Sequence, residues 1–410
     1  MISFPKEKIS IVLFENVHAS AVATFAADGY NAITRHKGTL EGPALADAIR
    51  DAHIVGLRSR TKLTEEALAA TRRLIAVGAF CIGTDQVDLD AAAVRGVPVF
   101  NAPFSNTRSV AELVIAETIL LVRGVPQRNA QLHRGVWNKS AEGAREIRGK
   151  TLGIVGYGHI GTQVGVMAEA LGMRVIYYDI MTKLALGNAS PVRSLDDLLS
   201  QADVVTLHVP DTPATRGLMG TQEIRLMRPG AALINASRGL VVDIAALAAA
   251  LESGQLGGAA LDVFPEEPTG KADPFVSPLL PYDQVILTPH IGGSTEEAQE
   301  SIGREVAEKL VSYSNFGSTL TAVNFPEVSL TDHPGMHRFI HIHQNRPGLL
   351  SKINAVFSRH NMNICSESLE TRGTLGYVVI DVEARTTVDT KAVRQELEAI
   401  DGTIRTRLLY

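Results

Sequence analysis

The sequence predicts an α/β protein of several domains: a Rossmann-type doubly wound sheet in the middle, a flavodoxin-like unit before it and a ferredoxin-like unit after it. Three observations predict this. Thr151 to Asp179 reads as strand, glycine turn, helix, strand, acid. Short β-branched apolar runs alternate with helical spacing on both sides of that stretch. Residues 337–410 repeat neither pattern and follow the order βαββαβ.

The central stretch carries the most mechanical content. TLGIV ends in Gly156-Tyr157-Gly158-His159-Ile160-Gly161, and RVIYY ends in Asp179. Gly156 suits a tight turn, Gly158 a close backbone approach to a pyrophosphate, and Gly161 close packing of helix on strand. The N-terminus of that helix offers free N–H groups and a partial positive charge to phosphates. Asp179 is placed to accept hydrogen bonds from a ribose diol, and a 2′-phosphate would meet its repulsion. Ile180, Met181 and Thr182 supply no arginine to offset that. The expected cofactor is therefore NAD, not NADP.

The totals set bounds. At about 100–200 residues per domain, 410 residues suggest two to four domains. A net charge of −5 argues against nucleic acid as a partner. Cys81 and Cys365 have no metal-ligand spacing, so neither a metal site nor a disulfide framework is expected. No apolar run reaches the roughly 18 residues of a spanning helix, and MISFPKEKIS lacks a signal-peptide core. A soluble, cytoplasmic protein without a membrane partner is the expectation.

Along the chain, strands are expected at Ile9–Phe14, His53–Leu57, Leu74–Val77 and Val97–Phe100, with helices between them. Ser109-Val-Ala-Glu112 is a capping-box pattern that predicts a helix through Val122. A polar helix is expected from Val125 to Trp137. Strands recur at Val204–Val209, Ala231–Asn235, Gly258–Val263 and Val285–Thr288. Ser294–Tyr313 reads as an amphipathic helix that packs back on the first domain, followed by a loop-rich connector. The last unit is expected as strand Arg338–Ile342, helix Leu349–His360, strands Asn363–Glu370 and Tyr377–Glu383, helix Val388–Ile400 and strand Thr403–Leu408. The resulting domains are 1–105 with 293–334, 106–292, and 335–410.

Chemistry gathers where strands of the middle domain end. Arg238 follows ALINAS, Glu267 lies beyond LDVF, His290 follows VILTP, and Asp262 closes its own strand. Open parallel sheets bind ligands outside the carboxyl ends of their strands, so these residues should converge. With the hydride carried by the cofactor, the protein has a proton to move and a substrate to orient. A histidine near its ordinary pKa of about 6.5 suits the proton. A carboxylate beside it steadies the imidazolium. An arginine can grip a substrate carboxylate with two hydrogen bonds and polarise the neighbouring carbonyl. Arg58, Ser59 and Arg60 follow a first-domain strand and suit a charged substrate, and Asn106 is a candidate for lining the same cleft. A substrate with both carboxylate and phosphate would explain several local arginines in an acidic protein.

GLRSRT, FNAPFSNTRSVAE, GIVGYGHIG, INASRG, LDVFPEEP and TPHIGGST together resemble the D-isomer-specific 2-hydroxyacid dehydrogenases. The C-terminal HIHQNRPG resembles the ACT regulatory module of the members that serve serine biosynthesis. The resemblance covers nearly the whole chain. It implies Arg238, Glu267 and His290 as catalytic residues. It implies NAD contacts at His159, Ile160, Asp179, Ala236, Ser237, Arg238, Asp262 and the run His290, Ile291, Gly292, Gly293. Arg58, Ser59, Arg60 and Asn106 would line the substrate side, and Trp137 would reach a neighbouring subunit's site. The implied reaction is oxidation of 3-phospho-D-glycerate to 3-phosphohydroxypyruvate, with reduction of 2-oxoglutarate as a side activity. The implied assembly is a homotetramer inhibited by L-serine bound at His343, Asn345 and Asn363. Relatives often carry paired glycines before the last domain. Here the pair is Pro334-Gly335, and proline's fixed φ limits a hinge. Two rival readings are an oxidoreductase for another D-2-hydroxy acid and an NADH-sensing, corepressor-like binding protein.

Overall fold

The computed structural model describes residues 5–268, 273–384 and 390–410. They form two compact units, one of residues up to 105 with 299–410 and one of residues 106–298.

The first unit begins with a parallel sheet of β1 Ile11–Leu13, β2 Ile33–Arg35, β3 Ile54–Leu57, β4 Ala76–Ala79 and β5 Val99–Asn101. Its order is β2-β1-β3-β4-β5, the flavodoxin-like arrangement. Strand β2 escaped the sequence reading because it lies at the edge, spans three residues and buries none of them. The helix Glu296–Phe316 starts where the Thr295 hydroxyl accepts a hydrogen bond from the Ala298 N–H. Within the first unit it lays Ile302, Val306, Leu310 and Tyr313 into a core with Ile11, Phe25 and Phe100. Gly78 permits this, because a Cβ there would sit 2.7 Å from Leu310 and 2.8 Å from Val306.

A second sheet in the same unit has β13 Met336–Gln344, β14 Ile364–Arg372, β15 Leu375–Glu383 and β16 Thr403–Leu409, in the order β14-β15-β13-β16. All its pairings are antiparallel, as the βαββαβ reading requires. Helices Leu349–Arg359 and Thr390–Glu398 cover one face. The expected start of the latter, at Val388, lies outside the described residues.

This last module shares a core with the first sheet. Ile340, Ile342, Tyr377 and Val379 of its other face join the same core as Ile11 and Leu310. The connector anchors itself through four covered residues, Thr319, Ala322, Phe325 and Val328. The Tyr377 hydroxyl donates to the Gly317 carbonyl at 2.6 Å. Arg338 makes two 2.7 Å bonds to the Asp381 carboxylate and donates to the carbonyls of Phe316 and Thr331. A sequence shows one amphipathic sheet here but not what covers its second face.

The second unit holds β6 Thr151–Val155, β7 Arg174–Tyr178, β8 Ser190–Pro191, β9 Val204–Leu207, β10 Ala231–Asn235, β11 Leu256–Leu261 and β12 Val285–Leu287. The order is β12-β11-β10-β9-β6-β7-β8 and every pairing is parallel. The sequence order reverses between β6 and β9, which marks the crevice where such sheets bind ligands. Two apolar cores flank the sheet, one around Leu207, Ile224 and Leu247, the other around Val110, Ile154 and Val164.

Two local expectations fail in this unit. The helix Thr107–Arg123 starts two residues before the supposed cap. Ser109 bonds the Thr295 hydroxyl instead, and Glu112 pairs with Arg108 one turn back. The next helix ends at His133, four residues short of Trp137, which is 79% exposed.

The Arg338–Asp381 pair is buried on both sides. Removing one partner strands a charge, which costs about 3–5 kcal/mol. Asp381→Ala should lower the unfolding free energy by about that amount, measured by urea denaturation. A loss under roughly 1 kcal/mol, the ceiling for a solvated surface pair, would contradict this account.

Candidate active site

Each glycine of the 156–161 turn meets its expected constraint. Gly156 has φ +91°, and a Cβ there would lie 2.4 Å from the His208 carbonyl oxygen. Gly161 packs so tightly that a Cβ would meet the Gly156 carbonyl oxygen at 2.3 Å. Gly158 faces open space, with nothing within 4 Å of its would-be Cβ, as a cradle for a bound group requires. The helix His159–Ala170 starts directly after it. His159 is exposed, and Ile160 is half-buried against the core around Ile154. Asp179 uses one oxygen to accept from the Tyr157 N–H at 2.9 Å and the other from the Met181 N–H at 2.8 Å. The acid at the end of β7 thus braces the glycine turn.

The 235–239 segment bends sharply after β10. The Ser237 N–H and hydroxyl both donate to the Asn235 side-chain oxygen, at 3.1 and 2.8 Å, while the Asn235 amide donates to the Arg238 carbonyl. Gly239 lies against the backbone after β11, where a Cβ would sit 2.0 Å from the Phe264 carbonyl carbon. This contact brings Arg238 to the segment carrying Glu267. Ala236 and Arg238 are half-buried, and Ser237 is buried.

Glu267 and His290 form a pair, with Nδ1 2.9 Å from Oε2 and 3.1 Å from Oε1. The Phe264 N–H also donates to Glu267 Oε1 at 3.2 Å. His290 has φ +55°, a left-handed conformation that only a few per cent of non-glycine residues adopt. The hydrogen bond to Glu267 holds its imidazole above the usual pKa; burial pulls it down, and the charges of Glu267 and Asp262 add to the rise. Burial pushes the Glu267 carboxyl up, but the hydrogen bond and charge of His290 outweigh this and leave it below its usual value. Arg238 lies close enough to stabilise the Glu267 carboxylate and to oppose protonation of His290.

Asp262 takes a task the sequence did not reveal. Its carboxylate is buried and turned onto its own chain. Oδ1 accepts from the Thr288 hydroxyl at 2.6 Å and the Ile291 N–H at 2.8 Å, and Oδ2 from the Gly292 N–H at 2.7 Å. Gly292 allows this, since a Cβ would meet Oδ2 at 2.8 Å. Gly293 likewise makes room for the amide of buried Asn106, 2.1 Å from its would-be Cβ. Ile291 is exposed.

His208 is a residue the sequence reading missed. It follows β9 at the switch point, and its backbone abuts Gly156. Burial pulls its imidazole down to about 3, so it is neutral, with Nε2 3.0 Å from the Thr206 hydroxyl. The available signal was HVP directly after the apolar run VVTL. Arg58, Ser59 and Arg60 follow β3 at the carboxyl edge of the first sheet, with Arg58 half-buried and the other two exposed.

The three expected effector residues do not meet within one chain. His343 is 3% exposed and pairs with Gly376, and the Asn345 amide donates to the Gly373 carbonyl at 3.1 Å, both at one end of β15. Asn363 precedes Ile364, which pairs with Val382 at the other end. At a rise of about 3.3 Å per residue, the two groups lie roughly 20 Å apart.

The sign of the His290 shift yields a test. An imidazole that serves as a base must be neutral, so with His290 in that role kcat/KM should rise with pH through a pKa above the ordinary 6.5. In Glu267→Gln the raising influence is gone. The acid limb should move to lower pH and the plateau fall by about 10²–10⁴. A pH–rate profile with an unmoved limb would separate Glu267 from His290.

Comparison with known proteins agrees with this geometry. Residues 115–292 match the family model described as the D-isomer specific 2-hydroxyacid dehydrogenase, NAD binding domain, and residues 339–405 match an AHAS small subunit-like ACT domain. The chain is 61% identical over 409 residues to D-3-phosphoglycerate dehydrogenase of Escherichia coli K12, covering 100% of this chain and 99% of that one. It is 60% identical to the enzyme of the same name from Haemophilus influenzae, at the same coverage. A D-lactate dehydrogenase from Aquifex aeolicus, solved with NAD and lactic acid, aligns with a TM-score of 0.65 at 29% identity, over 74% of this chain and 95% of that one. By its strand-end arginine, glutamate and histidine, and by these full-length relatives, the chain belongs to the D-isomer-specific 2-hydroxyacid dehydrogenases, the NAD-dependent oxidoreductases whose motifs it carries.

Proposed function

We propose that the protein oxidises 3-phospho-D-glycerate to 3-phosphohydroxypyruvate with NAD, the reaction that commits carbon to serine. The observation that carries this is the His290–Glu267 pair within the electrostatic reach of Arg238, on the same sheet edge as the glycine turn. NAD supplies the hydride acceptor. Gly158 leaves room for its pyrophosphate, Gly156 and Gly161 close the turn and seat the helix, and His159, Ile160 and Asp179 are assigned to the same cofactor. Ala236, Ser237, Asp262 and residues 290–293 complete the cofactor rim. Arg238 grips the substrate carboxylate and polarises the C2 oxygen. His290 Nε2 takes the hydroxyl proton, and Glu267 at Nδ1 steadies the resulting imidazolium. Arg58, Ser59, Arg60 and Asn106 are assigned to substrate binding, with the phosphate as the group that needs the arginines.

The division into 1–105 with 293–334, 106–292 and 335–410 is the functional one in this reading. L-Serine binds the ACT module as an inhibitor. Because His343 and Asn345 lie far from Asn363 in one chain, the effector site draws on two copies, consistent with a homotetramer. No described helix is long and apolar enough to cross a membrane, and the proposed location is the cytoplasm.

An NADH-linked assay with 3-phosphohydroxypyruvate, D-lactate and 2-oxoglutarate tests the substrate. Turnover on the phosphorylated acid should dominate, and His290→Ala should lower it by about 10²–10⁴. A preference for D-lactate would overturn the assignment. NAD should bind more tightly than NADP, and Asp179→Ala should narrow that gap; equal affinities in the wild type would remove Asp179 from cofactor choice. Millimolar L-serine should inhibit, and full activity in its presence would end the regulatory reading.

A further inference from the structure

Glu15 lies just beyond β1, after Phe14; it is 5% exposed, and its side chain is 3% exposed. Its Oε1 accepts from the Thr61 N–H at 2.7 Å and from the N–H groups of Arg58 and Arg60 at 3.3 Å. Its Oε2 accepts from the Arg60 N–H at 3.1 Å. One carboxylate therefore collects the backbone donors of the loop that presents Arg58, Ser59 and Arg60. The ladder between β1 and β3 explains why. It continues as far as the Phe14 N–H donating to Gly56 and then ends. Beyond it the 58–61 backbone turns away from any strand, and its buried N–H groups need another acceptor.

The chain spends backbone strain to supply one. Glu15 and Asn16 have φ of +59° and +53°, two successive non-glycine residues in the left-handed region. This bend sends the Glu15 N–H to the Gly38 carbonyl and the Asn16 N–H to that of His36, and turns the Glu15 side chain inward across the end of β3. The opposite side of the loop is held by Gln86, whose amide donates to the Arg58 carbonyl at 2.7 Å and also reaches Cys81 Sγ and the Gly83 carbonyl. Among the described residues, the cation paired with the carboxylate is Arg60, with Nε at 3.8 Å and a side chain 63% exposed. The carboxylate thus faces the N–H groups and one side of a guanidinium, while the rest of that guanidinium points to solvent.

We propose that Glu15 is a positioning residue for substrate binding. As a buried anion it shapes the 58–61 backbone and orients Arg60, so that two guanidiniums and a hydroxyl stand ready for the substrate's anionic end. Gln86 is its counterpart on the carbonyl side. This rests on the substrate role given to Arg58, Ser59 and Arg60 above. A preformed loop avoids an ordering cost at each binding event, so the effect belongs in substrate affinity and not in the chemical step.

The test is a steady-state comparison of Glu15→Gln, Gln86→Ala, Arg60→Ala and the Glu15→Gln/Arg60→Ala double variant, with melting temperatures for each. Gln keeps the size of Glu but turns an NH2 towards N–H donors. Glu15→Gln should raise KM for 3-phosphohydroxypyruvate by about tenfold or more while kcat and the KM for NADH stay within about threefold. Its effect should be less than additive with Arg60→Ala, since both act through one loop. Gln86→Ala should raise the same KM by a smaller factor and serves if Glu15→Gln does not fold. A lower melting temperature with KM unchanged in both Glu15→Gln and Gln86→Ala would make the residue merely structural and overturn the proposal. So would full additivity in the double variant. If Arg60→Ala itself leaves KM unchanged, the substrate role of the loop fails and this proposal with it. If Arg60→Ala raises KM and the other two do not, only this proposal fails.

Discussion

The buried carboxylate of Asp262 is the constraint on which the catalytic edge depends. It sits at the end of β11 and takes one hydroxyl and two N–H donors from residues 288–292. Hydrogen bonds to an ionised acceptor are short and roughly twice as strong as neutral ones. An unpaired carboxylate in that place would be costly, so anion and backbone hold each other. Between Thr288 and Ile291 lies His290, in a left-handed conformation that costs of order 1–3 kcal/mol when held against its preference. The bonds on either side of it secure that conformation and direct the imidazole to Glu267.

The same edge is built from close approaches. The backbones of His208 against Gly156, Gly156 against Gly161 and Phe264 against Gly239, and the Asn106 side chain against Gly293, are all contacts that a Cβ would crowd. Each joins the end of one strand or helix to its neighbour. Parallel strands bring their carboxyl ends to one side, but only to within the spacing of a sheet. The glycine contacts draw the connecting loops the rest of the way, so that residues far apart in sequence reach hydrogen-bonding or electrostatic range.

Much of this was legible in the chain. The parallel strands β6, β7, β9, β10 and β11 are short apolar runs bounded by polar or glycine segments, and their period is local. Arg238, Glu267 and His290 stand a few residues beyond the ends of such runs, so a shared edge was readable from topology. The failures have non-local causes. Ser109 and Glu112 match a capping box, but Thr295 and Arg108 supply other partners. Strand β2 exists because β1 offers it a ladder, not because ITR is apolar. Glu15 gave no signal at all, since its three donors lie some forty residues downstream.

The amino-acid order by itself determined most element types and the glycine turn, because each depends on residues within a few positions of one another. Tertiary structure decided the tasks of the buried polar groups. Asp262 reads as the acid closing its strand, and the fold gives it the backbone of residues 288–292 to brace. His343, Asn345 and Asn363 carry no sign in the sequence of where they sit relative to one another, and they lie at two ends of a sheet. The ACT module reads as a separate body and shares a core with the first sheet. The reason is common to all three. A buried charge, strand edge or apolar face must be satisfied by whatever the fold brings to it, and that partner is set by three-dimensional proximity, to which spacing along the chain is blind.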